Sequence, residues 1–498
     1  MSKRTYLITL AWITFCAALL RYVELATFPL RLDGDAARFS LEGAAMMRNQ
    51  APFFATGWEG HTHAWFYIVG WVTRIVDNPA LGVRILSATA GTLSVATTAY
   101  FAYSLSKNLT ISLIAAAAIA LSPLHLVFSR NGMELAWGTA LLPLILALMM
   151  SRYTLAWVVA GILTACAQYI AMSLRIAPLA VILLLVILTF HKQIRVKQCL
   201  LQIAIWGAVT LAVYAPQLWY FAHNPEAYWA RIDRVSIFTS SHMSELLDAH
   251  SSYLAVAWHQ VTHAYFPFFL KFDGATNLWY FYLPYLNPIP MVFFAWGILY
   301  ALFRIRQWQM QYLLSVLLGA IFLASVLTMY PPMSSRYVIL LPFVSMMIAY
   351  GLFKSFHFLS RTAPNRTFMI STLFGITMIL AICADVLQYT QHDTQTVWEH
   401  DKTTQTASLI THYLWANPQI ATLYTPFPEL LFPTVPSYTN VEVVQASALP
   451  PDAPYASALF IPASDIVSLE TARQKHNLQT IHTLSNPLGH VLGYILLP

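Results

Sequence analysis

The first residues whose types could do chemistry are two carboxylates, Asp33 and Asp35, which follow the first apolar stretch of the chain. A carboxylate held beside a cavity at a membrane boundary can take a proton from an incoming hydroxyl or amine, as a general base does. A plainer role for Asp35 is that of a helix N-cap. Asp33 could share the proton transfer, hold a cation or simply be solvated. We therefore predict a catalytic site at Asp35, with Asp33 beside it.

A helix is expected directly after Asp35, because small and apolar residues recur there at helical spacing. We predict that this amphipathic helix lies on the membrane with Asp35 at its N-cap. The apolar face comprises Ala36, Phe39, Gly43, Met46 and Met47, and the opposite face carries Arg38 and Glu42.

Further along the same segment, Glu59, His61 and His63 are candidates for contacting an acceptor or for holding a metal ion. A His-x-His pair without a placed third ligand is a weak metal motif, and polar groups on an interfacial segment are the more ordinary interpretation. Whether a divalent cation is used stays open. The neighbouring aromatic residues predict an aromatic belt at the membrane surface; they are Trp58, Trp65, Phe66 and Tyr67.

The composition indicates that these polar residues are carried by a membrane protein. The 498-residue chain is 58% hydrophobic and 10% charged, whereas soluble proteins carry about 25% charged residues. Its four cysteines form no CxxC pair, so the sequence predicts neither a disulfide framework nor a zinc site. The first apolar stretch lacks a small-residue cleavage site, and we interpret it as an uncleaved first span.

Eleven apolar segments are long enough to be transmembrane helices. The segment 64–76 is short, and we expect it to lie along the outer surface. With the N-terminus inside, the inner loops then carry Lys and Arg but no Asp or Glu, as the positive-inside rule prefers. The predicted spans are 5–23, 82–105, 109–128, 133–150, 153–172, 175–191, 199–221, 278–303, 309–329, 336–356 and 367–388.

Three long segments then lie outside: a first loop, 24–81, a second loop, 222–277, and the tail. We predict a membrane module over residues 1–388 and a small soluble α/β domain over residues 389–498. Alternating hydrophobicity predicts the strands of this domain. These strands and one helix are placed at Ile420–Tyr424, Val441–Val444, Ala458–Ile461, Val491–Leu496 and Ser464–His476.

Several motifs make the chain resemble membrane glycosyltransferases of the GT-C class. They are RLDGDAARFSLEGAAMMRN, GHTHAWFYIVGWVTRIVDNPALGVRILSATAG, LSPLHLVFSRNGMELAWGT and SSRYVILLPF, within residues 20–355. The bacterial relatives of protein O-mannosyltransferases and of the lipid A aminoarabinose transferase (glycosyltransferase 39/83-like) are the most similar. The resemblance implies a GT-C-like fold of about eleven transmembrane helices with surface helices in the first outer loop, in a bacterial inner membrane.

The resemblance also implies a reaction. Asp35 matches the family's catalytic base, which deprotonates an acceptor that attacks a polyprenyl-phosphate-linked sugar with inversion. The acceptor can be a lipid, a glycan or a protein. The family's following Glu falls on Ala36, and the prolines of its His-Pro-Pro segment are missing after His61. Asp33 or Glu59 could take the place of that Glu, and a divergent or inactive member is the alternative.

A lipid-anchored phosphate needs cations at the outer boundary, and the planar fork of Arg suits phosphate oxygens. Arg130 and Arg336 match the family pattern, and Arg175 and Arg84 also lie near outer span ends. Snorkelling to lipid headgroups is the simpler alternative for each. Glu134 is expected to pair with Arg130 on one helix surface.

The sequence therefore predicts a glycosyltransferase that contacts membrane lipids and no nucleic acid. It contains no Walker-type phosphate loop, which fits a lipid-linked donor. A transporter or flippase of lipid-linked glycans is the first alternative. A non-catalytic membrane assembly partner is the second.

Overall fold

The computed structural model describes residues 1–76, 78–239, 241–270, 284–391, 394, 402–450, 456–465, 467–470, 472 and 480–497. A helical body precedes a five-stranded sheet in the tail. The helices of the body are α1 (Lys3–Tyr22), α2 (Gly34–Asn49), α3 (His63–Val76), α4 (Pro79–Ser106), α5 (Leu109–Leu121), α6 (Pro123–Arg130), α7 (Ala136–Met149), α8 (Thr154–Ile170), α9 (Ala177–Phe190), α10 (Val196–His223), α11 (Pro225–Val235), α12 (His242–His250), α13 (Tyr253–Tyr265), α14 (Pro288–Phe303), α15 (Trp308–Ile321), α16 (Leu341–Thr362) and α17 (Thr367–Gln391).

The apolar helices identify the chain as an integral membrane protein. Seven helical segments in the described residues are long and apolar enough to cross a membrane, α5 and α6 form a further bent pair, and α7, α8 and α14 are shorter apolar helices. These segments follow the predicted ranges in order, although the start of the range 278–303 lies outside the described residues. The number of helices that cross the membrane stays a prediction.

The bend between α5 and α6 has a local cause. Ser122 lies between the two helices and accepts a hydrogen bond from the backbone N–H of His125, as an N-cap does. Pro123 follows and has no N–H with which to continue α5. The two helix axes therefore differ in direction by 58°.

Helix α2 forms where it was predicted, but its apolar face is covered by protein rather than by the membrane. The buried residues include Phe39, Gly43 and Met46, and the helix packs against α3 and α4. The charged face carries an ion pair of 2.7 Å between Arg38 and Glu42. The prediction of an amphipathic helix is confirmed, and its apolar face contacts α3 and α4 rather than lipid. Its position on the membrane stays a prediction.

The tail forms a sheet of order β2-β1-β3-β5-β4. The first three strands in that order are parallel, and β5 and β4 are antiparallel to their neighbours. Successive residues of β3 face two separate apolar clusters, as the alternation of side chains along a strand requires. The elements are α18 (Lys402–Ala416), β1 (Thr422–Thr425), α19 (Thr434–Tyr438), β2 (Glu442–Gln445), β3 (Ser457–Pro462), β4 (Thr480–Ser485) and β5 (Val491–Leu497).

Four of these strands were predicted. The strand β4, at the edge of the sheet, was missed. The predicted helix Ser464–His476 lies largely outside the described residues, although residues 467–470 are helical.

The tail packs against the segment that precedes α2. The backbone N–H of Leu32 donates to Ser408 Oγ at 2.8 Å, and Ser437 Oγ donates to the carbonyl of Ala37 at 2.7 Å. Because these bonds are buried, they hold the tail directly over the first turn of α2, where Asp35 lies.

Candidate active site

The first turn of α2 distinguishes the two aspartates. Asp33 is the N-cap: its Oδ1 accepts a hydrogen bond of 3.0 Å from the backbone N–H of Ala36, and its Oδ2 lies 3.3 Å from Arg31 Nη1. Asp33 and Arg31 are both buried. The prediction of Asp35 as the N-cap is therefore wrong, because that position belongs to Asp33.

Asp35 lies inside the first turn of α2, and its side chain is exposed. It faces a concave space that protein surrounds closely. Desolvation there, followed by the negative charge of Asp33, raises the pKa of Asp35 to about 7, against the opposing effect of Arg231 and Arg31. A carboxylate with a pKa near neutrality is suited to accept a proton at physiological pH.

This space is a cavity of about 240 Å³ between α2 and the tail, which we call the tail-side cavity. Asp35, Arg38 and Trp58 line it on one side, and residues of the tail line the other. The tail residues are Thr404, Ala407, Leu430, Phe432, Pro433 and Thr434.

A second cavity, of about 460 Å³, lies between the first loop, α11 and the ends of several apolar helices. We call it the arginine cavity, because Arg175, Arg231 and Arg336 line it. Its polar part also includes His61, Glu134, Ser173, Thr328 and Ser335. Its apolar part is formed by Leu135, Met172, Ile176, Leu179, Ile232, Val235, Ala320, Leu323, Ala324, Met333 and Ile339.

One short turn, Trp58–His61, contributes to both cavities. Trp58 lines the tail-side cavity and His61 lines the arginine cavity. Their rings stack with centroids 5.9 Å apart and planes 12° apart. The buried carboxylate of Glu59 pairs with Arg231 at 2.7 Å and also with Arg234. This pairing ties α11 to the first loop and holds Arg231 beside the turn.

The charges of the two cavities act on one another. Arg231 favours the ionised form of Asp35. Burial, followed by the charges of Arg231 and Arg175, lowers the pKa of His61 to about 3. His61 is consequently neutral at physiological pH, and a neutral imidazole can donate one hydrogen bond and accept another.

The three residues predicted as acceptor or metal candidates are directed to different partners. Glu59 pairs with arginines, His61 stacks on Trp58, and His63 Nδ1 lies 2.7 Å from the carbonyl oxygen of Pro52. Over the part of the chain that the structure describes, no three His, Cys, Asp or Glu side chains are grouped as metal ligands. The predicted aromatic belt is wrong for Trp65 and Phe66, which are buried around Phe39.

The four predicted phosphate-binding arginines fall into two pairs. Arg175 and Arg336 line the arginine cavity. Arg84 and Arg130 are buried and do not line it. Arg84 donates three hydrogen bonds of 2.7–3.1 Å and Arg130 three of 2.6–2.9 Å to the backbone carbonyls of Leu20, Val23, Leu25, Phe28, Pro29 and Arg31.

Two residues that line the arginine cavity, Arg231 and Glu134, were not among the site residues predicted from the sequence. Arg231 lies on α11, within the long segment 222–277, and no sequence motif includes it. Glu134 does not form the expected pair with Arg130; within the described residues, its buried Oε2 has no hydrogen-bond partner. A buried carboxyl oxygen without a partner, on the wall of a cavity, is a signal that only the folded chain provides.

No protein-family model and no curated protein sequence matches the chain. Several solved structures, in contrast, are similar to the chain over nearly its whole length. ArnT, the aminoarabinose transferase of Cupriavidus metallidurans, bound to undecaprenyl phosphate, superposes with a TM-score of 0.58 at 10% identity over 99% of this chain and 98% of that one. The oligosaccharyltransferase AglB of Archaeoglobus fulgidus, in complex with an inhibitory peptide and a dolichol-phosphate, has a TM-score of 0.54 at 13% identity over 99% and 74%.

These likenesses show that the chain has the fold of the GT-C membrane glycosyltransferases. The fold resemblance expected from the motifs is thereby confirmed. At 10–13% identity the comparison concerns the fold, so the function has to be argued from the site.

Proposed function

We propose that the protein is an inverting glycosyltransferase that moves a sugar from a polyprenyl-phosphate-linked donor to an acceptor, with Asp35 as the general base. The observation that carries this proposal is the position of Asp35 on the wall of the tail-side cavity, within the field of an arginine that lines the other cavity. A donor in one cavity and an acceptor in the other would meet beside Asp35.

The arginine cavity supports a lipid phosphate as the donor. Arg175, Arg231 and Arg336 supply positive charge at its polar part, and apolar side chains of the helices supply a surface for a hydrocarbon chain. Arg336 also donates to the carbonyl of Met329 at 2.7 Å. Because one guanidinium carries five N–H donors, it can bind phosphate oxygens without giving up that bond.

The reaction then balances as follows. Asp35 takes the proton of an acceptor hydroxyl or amine, and the acceptor atom forms a bond to the anomeric carbon of the sugar. The bond between that carbon and the phosphate oxygen breaks, and the polyprenyl phosphate leaves with the electron pair. Arginines at the leaving phosphate stabilise the charge that develops there.

Substitution of Asp35 tests the proposal. In Asp35→Asn the amide cannot accept a proton as the carboxylate does, so we expect release of polyprenyl phosphate from donor sugars to fall by about 10²–10⁴-fold, the usual contribution of a general base. The assay uses the full chain in membranes, a panel of undecaprenyl-phosphate sugars, and an envelope extract of the native host as the acceptor source.

Glu42→Gln is the matched control, since Glu42 lies on the same helix and pairs with Arg38. We expect this variant to retain most of the activity. Unchanged transfer by Asp35→Asn would remove Asp35 as the base. Translocation of a lipid-linked sugar without transfer by the unmodified chain would favour a flippase instead.

A further inference from the structure

The tail-side cavity has aromatic side chains on both of its walls. Trp58 belongs to the first loop and Phe432 to the tail. The Trp58 indole is held in place by His61, which stacks on it, and by Phe39, whose ring centroid lies 5.8 Å away. Phe432 is 50% exposed, although the guanidinium of Arg38 lies 5.3 Å from its ring centroid. An aromatic ring face carries partial negative charge, and it attracts the polarised C–H groups of a sugar ring.

The same cavity carries polar groups that suit hydroxyls. Asp35 accepts hydrogen bonds, Arg38 donates them, and the hydroxyls of Thr404 and Thr434 can do either. Arg38 is paired with Glu42, but a guanidinium with five donors is not exhausted by one carboxylate. A hydrocarbon chain would have to desolvate these groups without replacing their hydrogen bonds, and that desolvation is costly.

The size of the cavity limits the ligand further. Its volume of about 240 Å³ is below the roughly 300–1,000 Å³ of pockets that enclose drug-sized ligands. One sugar ring matches this space better than an extended peptide does.

We infer that the acceptor is a carbohydrate, whose terminal ring lies in the tail-side cavity against Trp58 and Phe432 with a hydroxyl at Asp35. This inference rests on the proposed function, because it takes Asp35 to be the base. It assigns half of the acceptor site to the tail. The tail is then a specificity-determining part of the enzyme.

Sugar binding by the full chain in lipid nanodiscs tests the inference. Saturation-transfer NMR is recorded with methyl glycosides of hexoses, N-acetylhexosamines and pentoses as probes. We expect at least one glycoside to bind the unmodified chain and Phe427→Ala, and to bind Phe432→Ala at least tenfold more weakly. Phe427 is the matched control, since it is an exposed phenylalanine of the tail that does not line the cavity. Phe432→Tyr keeps the ring and should keep binding.

The inference is overturned if no glycoside of the panel binds, or if Phe432→Ala binds as the unmodified chain does. Undecaprenyl phosphate is tested in parallel by thermal shift. Equal stabilisation of the unmodified chain, Phe432→Ala and Phe427→Ala shows that the variants are folded and that the donor site is intact. Failure of that lipid to stabilise any of them would count against the proposed donor and leave the glycoside result as a separate measurement of the tail-side cavity.

Discussion

Asp33 and Asp35 have the same side chain and lie two residues apart, yet their positions in one helical turn give them different roles. Asp33 accepts a hydrogen bond from a backbone N–H and pairs with an arginine. Its carboxylate therefore stabilises the start of α2. Asp35 forms no hydrogen bond or ion pair with the residues that the structure describes, and it faces a cavity. Of the two carboxylates, only that of Asp35 lines the tail-side cavity.

The raised pKa of Asp35 predicts how activity depends on pH. A base works only when it is deprotonated, and the pKa of Asp35 is raised to about 7. We therefore expect kcat/KM to increase about tenfold per pH unit below pH 7 and to level off above it. The pH profile of sugar transfer measures this. A flat profile between pH 5 and pH 8 (about two units below and one above that pKa) would contradict the role of Asp35 as the base.

The same shift makes a statement about stability. Since the pKa of Asp35 is higher in the folded than in the unfolded chain, its contribution to stability is fully present at low pH and is lost as the pH rises through about 7. Asp35→Asn has no charge to desolvate. We therefore expect the melting temperature of Asp35→Asn, minus that of the unmodified chain, to be larger at pH 8 than at pH 4. The activity of the variant should be lower than that of the unmodified chain.

At the scale of elements, the position of Asp35 depends on how closely α2 approaches α3. Gly43 and Gly70 lie where the two helices meet. A Cβ atom on Gly70 would lie 2.6 Å from the carbonyl oxygen of Gly43 and 2.9 Å from Met47 Sδ. Such a distance is too short for any van der Waals contact, so a side chain here would push the helices apart.

We accordingly expect Gly70→Ala to destabilise the protein by about 1–3 kcal/mol, as overpacking does, and to reduce transfer by moving α2. Gly207→Ala on α10 is the control, because nothing lies within 4 Å of the Cβ position there. Thermal unfolding of both variants in the same detergent measures the difference. Equal melting temperatures would show that α2 and α3 are not in close contact.

At the scale of the whole molecule, both cavities depend on segments that are far apart in the sequence. The arginine cavity takes residues from the first loop, α11 and the segment before α16. The tail-side cavity takes residues from positions 34–58 and 404–434. All of these segments must lie on one side of the membrane, and the charge of the loops predicts that this is the non-cytoplasmic side.

Single cysteines test this orientation in a chain whose native Cys16, Cys166, Cys199 and Cys383 are replaced by alanine. Gln419→Cys places a thiol on the tail, and Lys197→Cys places one at the start of α10, in a segment that the sequence predicts to be inside; both positions are exposed. In intact spheroplasts, we expect a membrane-impermeant maleimide to label position 419 at once and position 197 only after permeabilisation. The reverse order would place the tail in the cytoplasm.

The local elements could be predicted because their signals are local. Runs of apolar residues determine the long helices, and the alternation along Val491–Leu496 determines a strand. The edge strand β4 was missed, because its sequence lacks the regular alternation of apolar and polar residues that marks a strand packed on a core. The helix after Asp33 was correctly placed, but its N-cap was assigned two residues too late, a usual error at a helix end.

The sequence by itself determined that the chain is a membrane protein, that α2 follows the acidic pair, and that Asp35 is the carboxylate to examine. Only the tertiary structure decided which arginines line a cavity and which are enclosed by the backbone carbonyls of residues 20–31, because Arg84 and Arg175 have the same chemistry and differ only in what surrounds them. It also decided that Arg231, Glu134 and Phe432 line the two cavities. Their proximity to Asp35 arises from packing between segments that are distant in the sequence, and the spacing of residues along the chain does not predict such packing.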